Sequence, residues 1–226
     1  MKYNKIIFVD KPKGITSFDI IRILRRKYKI RKMGHSGTLD PLATGLMIIG
    51  IEEGTKELKN LISLNKTYQV SILLGKQTTT GDMEGEIIKN KKVNEINIEK
   101  VKEILKRITG KILLHVPVYS AIKVKGQPLY KIARKKGYKS VIPPKKEMEI
   151  FWIKIKNHHE ESDYYILNLE MKVKSGTYIR SIAEKIGEKL KVPATVKELR
   201  RIKIGKFKVE NAIKIKDFRS EKQYSP

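Results

Sequence analysis

The chain has 226 residues, 40% of them hydrophobic, enough for one large domain, or for one domain with a small appendage. It contains no cysteine, which excludes disulfide frameworks and thiolate metal sites, and its four histidines show no ligand spacing, so no metal is expected. Lys and Arg number 50 against 24 Asp and Glu, and the net charge of +26 points to a polyanionic partner, most simply nucleic acid.

That charge needs discounting, because only ten of the cations are Arg and the Lys- and Ile-rich bias is one that AT-rich genomes produce. The N-terminus, "MKYNKIIFVDKPKG", has too short an apolar run for a signal peptide, and no stretch reaches membrane-spanning length. The expectation is a soluble, cytoplasmic protein.

In chain order, residues 5–9 read as a strand and "DKPKG" as a turn. Thr16 and Asp19 have the spacing of a capping box, opening a helix that buries Phe18, Ile21 and Leu24. "LMIIGI", 46–51, reads as a buried strand running into a helix over "EEGTKELKNLI". "KTYQVSILLG", 66–75, alternates as a strand does, and "TTTGDMEGEII" is a turn-rich link into a short strand. Residues 97–109 set Ile98, Val101, Ile104, Leu105 and Ile108 on one helical face, with Gly110 at the stop.

"SAIKVKG" reads as strand then turn, and "PLYKIARKKG" as a short basic helix. Strand patterns at 147–156 and 163–174 flank a polar "NHHEES" turn. "GTYIRSIAEKIGEKL" is a helix burying Ile179, Ile182, Ala183 and Ile186, and "IGKFKVENAI" supplies a last short strand and a tail. Strands outnumber helices, with hairpin-like links. The expected fold class is α+β, a mixed, largely antiparallel sheet flanked by helices. No linker or repeat marks a second domain.

One loop stands out, "GHSGTLDPLATG", 34–45. Its glycines permit backbone shapes that other residues resist, and Pro41 biases Asp40 toward extended conformation. Asp40 is then a fixed reactive carboxylate or a turn former. Downstream, "SGTYIRS" places Arg180 on a first helical turn, either as a carboxylate's partner or, on local grounds, as a surface cation. Tyr68 sits on a strand face, as a functional ring or a core aromatic. Residues 121–146 mix Lys123, Lys125, Lys131, Arg134, Lys135, Lys136 and Lys139 with Tyr130 and Tyr138, a composition suited to phosphates and bases or to a solvated loop. No phosphate-binding or dinucleotide glycine motif is present, so no nucleotide cofactor is expected.

Together, "VDKPKGITSFDIIRILRR", "KMGHSGTLDPLATGLM", "KTYQVSILLGKQTTTGDMEG", "YSAIKVKGQPLYKIARKKG", "KSGTYIRSIAEKIGEKL" and "LRRIKIGKF" resemble, in order and over nearly the whole chain, the bacterial tRNA pseudouridine-55 synthase or TruB family. The resemblance implies a pseudouridine synthase fold and isomerisation of uridine 55 in the tRNA T-loop without cofactor or metal. It implies Asp40 as the catalytic aspartate, Arg180 as its partner and Tyr68 against the target base. It further implies Tyr178 and Leu199 lining the uridine pocket, His35 on the T-loop, and 121–146 as an RNA-gripping thumb loop. "LHVPVYSA" departs from the family's Q-x-P-P-x-Y/F-S-A by keeping one Pro and lacking the Gln.

The domain expectation is a catalytic domain over 1–204 and a short strand and tail over 205–226, leaving no room for a C-terminal PUA-type module. The chain is expected to act as a monomer, without guide RNA or membrane. The rival expectations are a guide-RNA-dependent synthase, a tRNA-folding protein that needs no catalysis, and a general basic DNA-binding protein.

Overall fold

The structure, a computed structural model, describes residues 5–215. Residues 216–226, half of the expected strand and tail over 205–226, lie outside the described residues. In chain order the elements are β1 (Lys5–Lys11), α1 (Ser17–Tyr28), β2 (Met33–His35), β3 (Thr44–Ile51), α2 (Leu58–Ser63), β4 (Lys66–Leu74), β5 (Lys76–Thr78) and β6 (Ile87–Asn90). There follow α3 (Ile98–Ile108), β7 (Gly110–His115), β8 (Lys123–Val124), β9 (Gln127–Pro128), α4 (Leu129–Lys136), β10 (Lys145–Glu161), β11 (Tyr164–Val173), α5 (Ile179–Leu190), β12 (Ala194–Ile204), β13 (Phe207–Lys208) and β14 (Ile213–Lys214). The class is α+β, with a mixed, largely antiparallel main sheet. No helix among the described residues is long and apolar enough to cross a membrane.

The chain forms two compact units. One takes the residues up to Gln69 and those from Leu199 onward, and the other is Val70–Glu198. The boundaries fall inside the continuous strands β4 and β12, so no linker composition marks them. In the first unit β1 pairs antiparallel with β3 and parallel with β14, β2 pairs with β3, and β3 runs parallel to β12. Its core gathers Leu46, Ile48, Ile204 and Val209, with Phe8 and Phe207 packed against them at a ring separation of 5.0 Å. In the second unit β10 pairs antiparallel with both β11 and β7. Helix α3 packs on α5, and α5 on β7. Their inner faces bury Val101, Ile104, Leu105, Ile108, Ile182, Ala183 and Ile186, each large side chain contributing about 1.5–3 kcal/mol of transfer free energy.

The capping box forms as its spacing predicts. Thr16 Oγ1 accepts the Asp19 N–H at 3.1 Å, and the Asp19 carboxylate accepts the Thr16 N–H at 2.9 Å. The face of α1 differs from expectation. Ser17, Ile20, Ile21 and Leu24 are buried, but Phe18 is 48% exposed. Phe18 falls off the inward stripe by one position, and Arg22 and Arg25 cover its ring instead.

Other corrections concern extent. "EEGTKELKNLI" begins as a 3-10 turn over 52–56 before α2. Strand β4 is buried along most of its length instead of alternating. "NHHEE" continues β10, and the turn to β11 is only Ser162 and Asp163, with Ser162 at φ 56°. Strands β2, β7 and β12 carry no alternating pattern that marks them in the sequence.

The parallel contact of β3 with β12 depends on Gly45. At φ 108°, a Cβ there would lie 2.3 Å from the Arg201 carbonyl oxygen. Gly45→Ala combines a left-handed backbone with a backbone clash and should cost more than about 2 kcal/mol. Urea denaturation of the variant against the parent checks this.

Candidate active site

The loop between β2 and β3 is held at both shoulders of Asp40, all within the first unit. The Ser17 hydroxyl accepts the Leu39 N–H at 2.8 Å and donates to the Leu39 carbonyl at 3.0 Å. The Pro41 carbonyl accepts the Gly14 N–H at 2.9 Å and the Lys11 ammonium at 3.1 Å. The Asp40 carbonyl accepts the Ala43 N–H at 3.1 Å, closing a turn. Leu39, Leu42 and Ala43 are buried and Asp40 is half-buried. A carboxylate whose neighbours are fixed on either side is pre-oriented, which is what a reacting group needs.

Lys11 is fully buried. Its ammonium donates to the carbonyls of Pro12 at 2.9 Å, Ile15 at 2.6 Å and Pro41 at 3.1 Å, tying "DKPKGI" to "DPLATG". The consecutive arginines of β12 point to opposite faces, as strand geometry requires. Arg200 grips Asp10 with two hydrogen bonds, of 3.0 and 2.7 Å. Arg201, 1% exposed, donates to the carbonyls of Leu46 at 2.7 Å and Gly37 at 3.1 Å. Sequence reasoning missed Asp10, Lys11, Ser17, Arg200 and Arg201. The one available signal was the dense "VDKPKG" and "LRR" clusters.

Arg201 also sets its neighbours' charge. His35 is pushed below its ordinary pKa, first by burial and then by Arg201. It is therefore neutral at pH 7, consistent with its Nδ1 accepting the Gly37 N–H at 3.3 Å. Lys66, two residues before Tyr68, is lowered to about 8 by burial and then Arg201, while its ammonium donates to the Ile62 carbonyl. Tyr68 is buried on β4. Leu199 is buried on β12, its carbonyl accepting the Thr44 hydroxyl at 3.5 Å. The first unit thus contains His35, Asp40, Tyr68 and Leu199.

The second unit contains Tyr178, Arg180 and the segment 121–146. Tyr178 caps α5 in extended conformation, half-buried, with Lys146 Nζ 5.8 Å from its ring centre. Arg180 is 5% exposed, which corrects the local reading of a surface cation. Its guanidinium donates to the carbonyls of Thr80 at 2.7 Å and Tyr119 at 3.1 Å, and its Nε lies 3.9 Å from the buried Asp82 carboxylate. Asp82 in turn accepts the Thr80 hydroxyl at 2.6 Å and the Glu84 N–H at 3.1 Å. "TTTGDMEG" is thus more than a link: it supplies a buried acid, and an acid between glycines was the signal that singled out Asp40. One turn on, Glu184 is raised by burial, which Arg180 partly opposes.

In 121–146, β8 and β9 form a hairpin turning at Lys125 (φ 49°) and Gly126 (φ 80°). Helix α4 buries Leu129 and Ala133 and carries Arg134 5.6 Å from the Tyr130 ring centre. Lys123, Lys125, Lys131, Arg134, Lys135, Lys136 and Lys139 are all exposed.

Two outcomes test this geometry. Ser17→Ala strands two buried backbone groups of Leu39, and should cost about 1–3 kcal/mol in urea denaturation. Lys66 binds its proton less tightly folded, near 8, than its ordinary 10.5. The unfolded chain therefore holds more protons between those values, and this group makes stability rise with pH across that window. Replacing Lys66 by Met should remove that component, so the stability of the parent relative to the variant should climb from pH 8 to 10.5 in paired urea titrations.

Comparison with known proteins identifies the fold around these residues. Residues 25–179 match the model of the TruB family pseudouridylate synthase N-terminal domain, and 180–225 that of the tRNA pseudouridylate synthase B C-terminal domain. The chain is 38% identical to tRNA pseudouridine synthase B of Aquifex aeolicus (strain VF5), over 95% of this chain and 73% of the relative. It is 39% identical to tRNA pseudouridine synthase B of Endomicrobium trichonymphae, over 95% of this chain and 92% of the relative. A chain of the crystal structure of a Cbf5-Nop10-Gar1 complex superimposes with a TM-score of 0.71 at 25% identity, covering 97% of this chain and 56% of that one. This chain therefore spans little more than half the length of that solved structure. With a family model matched over more than half of its residues and relatives near 40% identity along almost all of it, the chain belongs to the TruB family of pseudouridylate synthases.

Proposed function

We propose that this chain converts uridine 55 in the T-loop of tRNA to pseudouridine, with Asp40 as nucleophile, Tyr68 against the flipped base and Arg180 as the partner of Asp40. The observation that carries the reading is the clamped Asp40 loop in a member of this family, with Leu39 and Pro41 both fixed by Ser17, Gly14 and Lys11. The catalytic machinery is assigned to 1–204. Tyr178 and Leu199 line the uridine pocket, His35 meets the T-loop, and the exposed cations of 121–146 hold phosphates.

The chemistry is an isomerisation. The N1–C1′ bond breaks, the base turns within the pocket, C5 bonds to C1′, and the proton lost from C5 is balanced by one gained at N1. No electrons enter or leave. The target base must leave its stack, an ionised carboxylate must act as nucleophile toward ribose or base, and the detached base must be retained. A neutral His35 suits contact with an uncharged edge of the RNA. The enzyme is proposed to work as a monomer, with no guide RNA.

The direct experiment is incubation of the chain with one unmodified tRNA transcript, followed by mapping of pseudouridine. Product at position 55 without added guide RNA is expected. Binding without product would instead mark a tRNA-folding protein. Asp40→Asn preserves shape and removes the charge, so it should abolish turnover while tRNA binding persists by filter retention. Arg180→Lys keeps the charge but loses the planar fork, and should lower the single-turnover rate by about 2–4 kcal/mol of transition-state stabilisation. A near-normal rate would remove Arg180 from the chemistry.

A further inference from the structure

We infer that the outer face of α1 is a second RNA-binding surface, a rigid guanidinium platform for tRNA backbone phosphates built on Phe18, Arg22 and Arg25. The inference rests on the proposed tRNA function and adds a surface to it. Three observations carry it. First, Phe18, Arg22 and Arg25 stand at i, i+4 and i+7, one stripe of the helix. The guanidinium carbons of Arg22 and Arg25 lie 5.1 and 5.6 Å from the Phe18 ring centre. The Phe18 ring is 48% exposed, so the guanidiniums over it lie at the surface. Here it holds two flat cations in place, reducing the freedom they lose on gripping a ligand.

Second, the charge on this face is one-sided. Lys32, beyond the helix, pairs with Glu53 at 3.1 Å, but within 17–32 Arg22, Arg25, Arg26, Lys27, Lys29 and Arg31 face the single acid Asp19. That acid is engaged in the capping box and in a 3.0 Å pair with Arg22. Helix α3 is the contrast: its exposed cations Lys100, Lys102, Lys106 and Arg107 alternate with Glu99 and Glu103, two of them in ion pairs.

Third, four of the chain's ten Arg fall within 22–31, in a sequence where Lys outnumbers Arg four to one. Where a solvated positive charge suffices, this composition supplies Lys. Three other arginines, Arg180, Arg200 and Arg201, make specific guanidinium contacts inside the fold. A surface cluster of Arg in such a chain points to a ligand that needs the bidentate fork, and phosphate is that ligand for a protein of this charge. The helix dipole favours cations in the last turn of α1, but it does so for Lys as well as for Arg and has no use for an exposed ring.

The test measures the affinity of the full chain for an unmodified, full-length tRNA transcript over a salt series. Arg22→Gln with Arg25→Gln should raise Kd at least fivefold at physiological salt. It should also lower the slope of log K against log salt by roughly 1.4 to 1.8, two phosphate contacts' worth. Lys100→Gln with Lys106→Gln, the same charge change on the mixed face of α3, should leave the slope nearly as it was. Equal effects from the two pairs, or none from the α1 pair, would overturn the proposal. Should Gln weaken the helix in thermal melts, Arg22→Lys with Arg25→Lys keeps charge and helix propensity and reads the fork alone. A raised Kd supports the platform, and a parental Kd overturns it. Pseudouridine mapping on the parent is read separately. Its failure would remove the proposed function, while the binding comparison would still decide the surface.

Discussion

Arg201 is the constraint on which the first unit depends. A guanidinium 1% exposed must have its donors met by fixed acceptors, and the carbonyls of Leu46 and Gly37 meet them. Those acceptors lie on β3 and on the loop before it, so satisfying one side chain fixes β12 against β3 and sets the start of the Asp40 loop. The close approach of β12 to β3 also requires Gly45, where a Cβ would strike the Arg201 backbone, whereas Gly37 is required by its own backbone, at φ 128°. The charge then acts beyond its contacts, helping to hold His35 neutral and to lower Lys66.

Much of this was legible in the sequence, and the remainder was hidden for definable reasons. The capping box at Thr16 and Asp19 is a local interaction, and its spacing was sufficient to find it. The α3 face was equally readable, because its apolar positions repeat with the helical period. Phe18 was misplaced because hydrophobicity predicts burial only on average, and a ring beside two arginines has another way to cover itself. Arg180 was misjudged from its immediate neighbours. Its partners Thr80, Asp82 and Tyr119 are between 61 and 100 residues away, which no local pattern reports. Strand β12 was unmarked because "ATVKELRRIKI" carries charges within a buried strand. They are tolerated because Arg200 meets Asp10 and Arg201 meets carbonyls, both contacts of long range in sequence.

The candidate site divides along the same line. The loop bearing Asp40 announced itself by its glycines and proline. The residues that hold that loop did not, because their work is done by ordinary groups: a serine hydroxyl, a lysine ammonium and a backbone N–H. A glycine-rich loop is permissive, and permissiveness alone gives mobility. Only the distant clamps convert it into a fixed pose, so the reacting residue was easier to find than the residues that orient it.

A buried cation bears on the function in a further way. Arg201 gives hydrogen bonds to two carbonyls. A carbonyl dipole satisfies a donor's hydrogen-bonding need without cancelling its charge, whereas a carboxylate does both. Cations stabilised by carbonyls therefore continue to contribute positive potential at the surface above them, in low-dielectric surroundings that weaken it less than water would. In a chain of net charge +26 this interior contribution adds to the exposed lysines instead of opposing them.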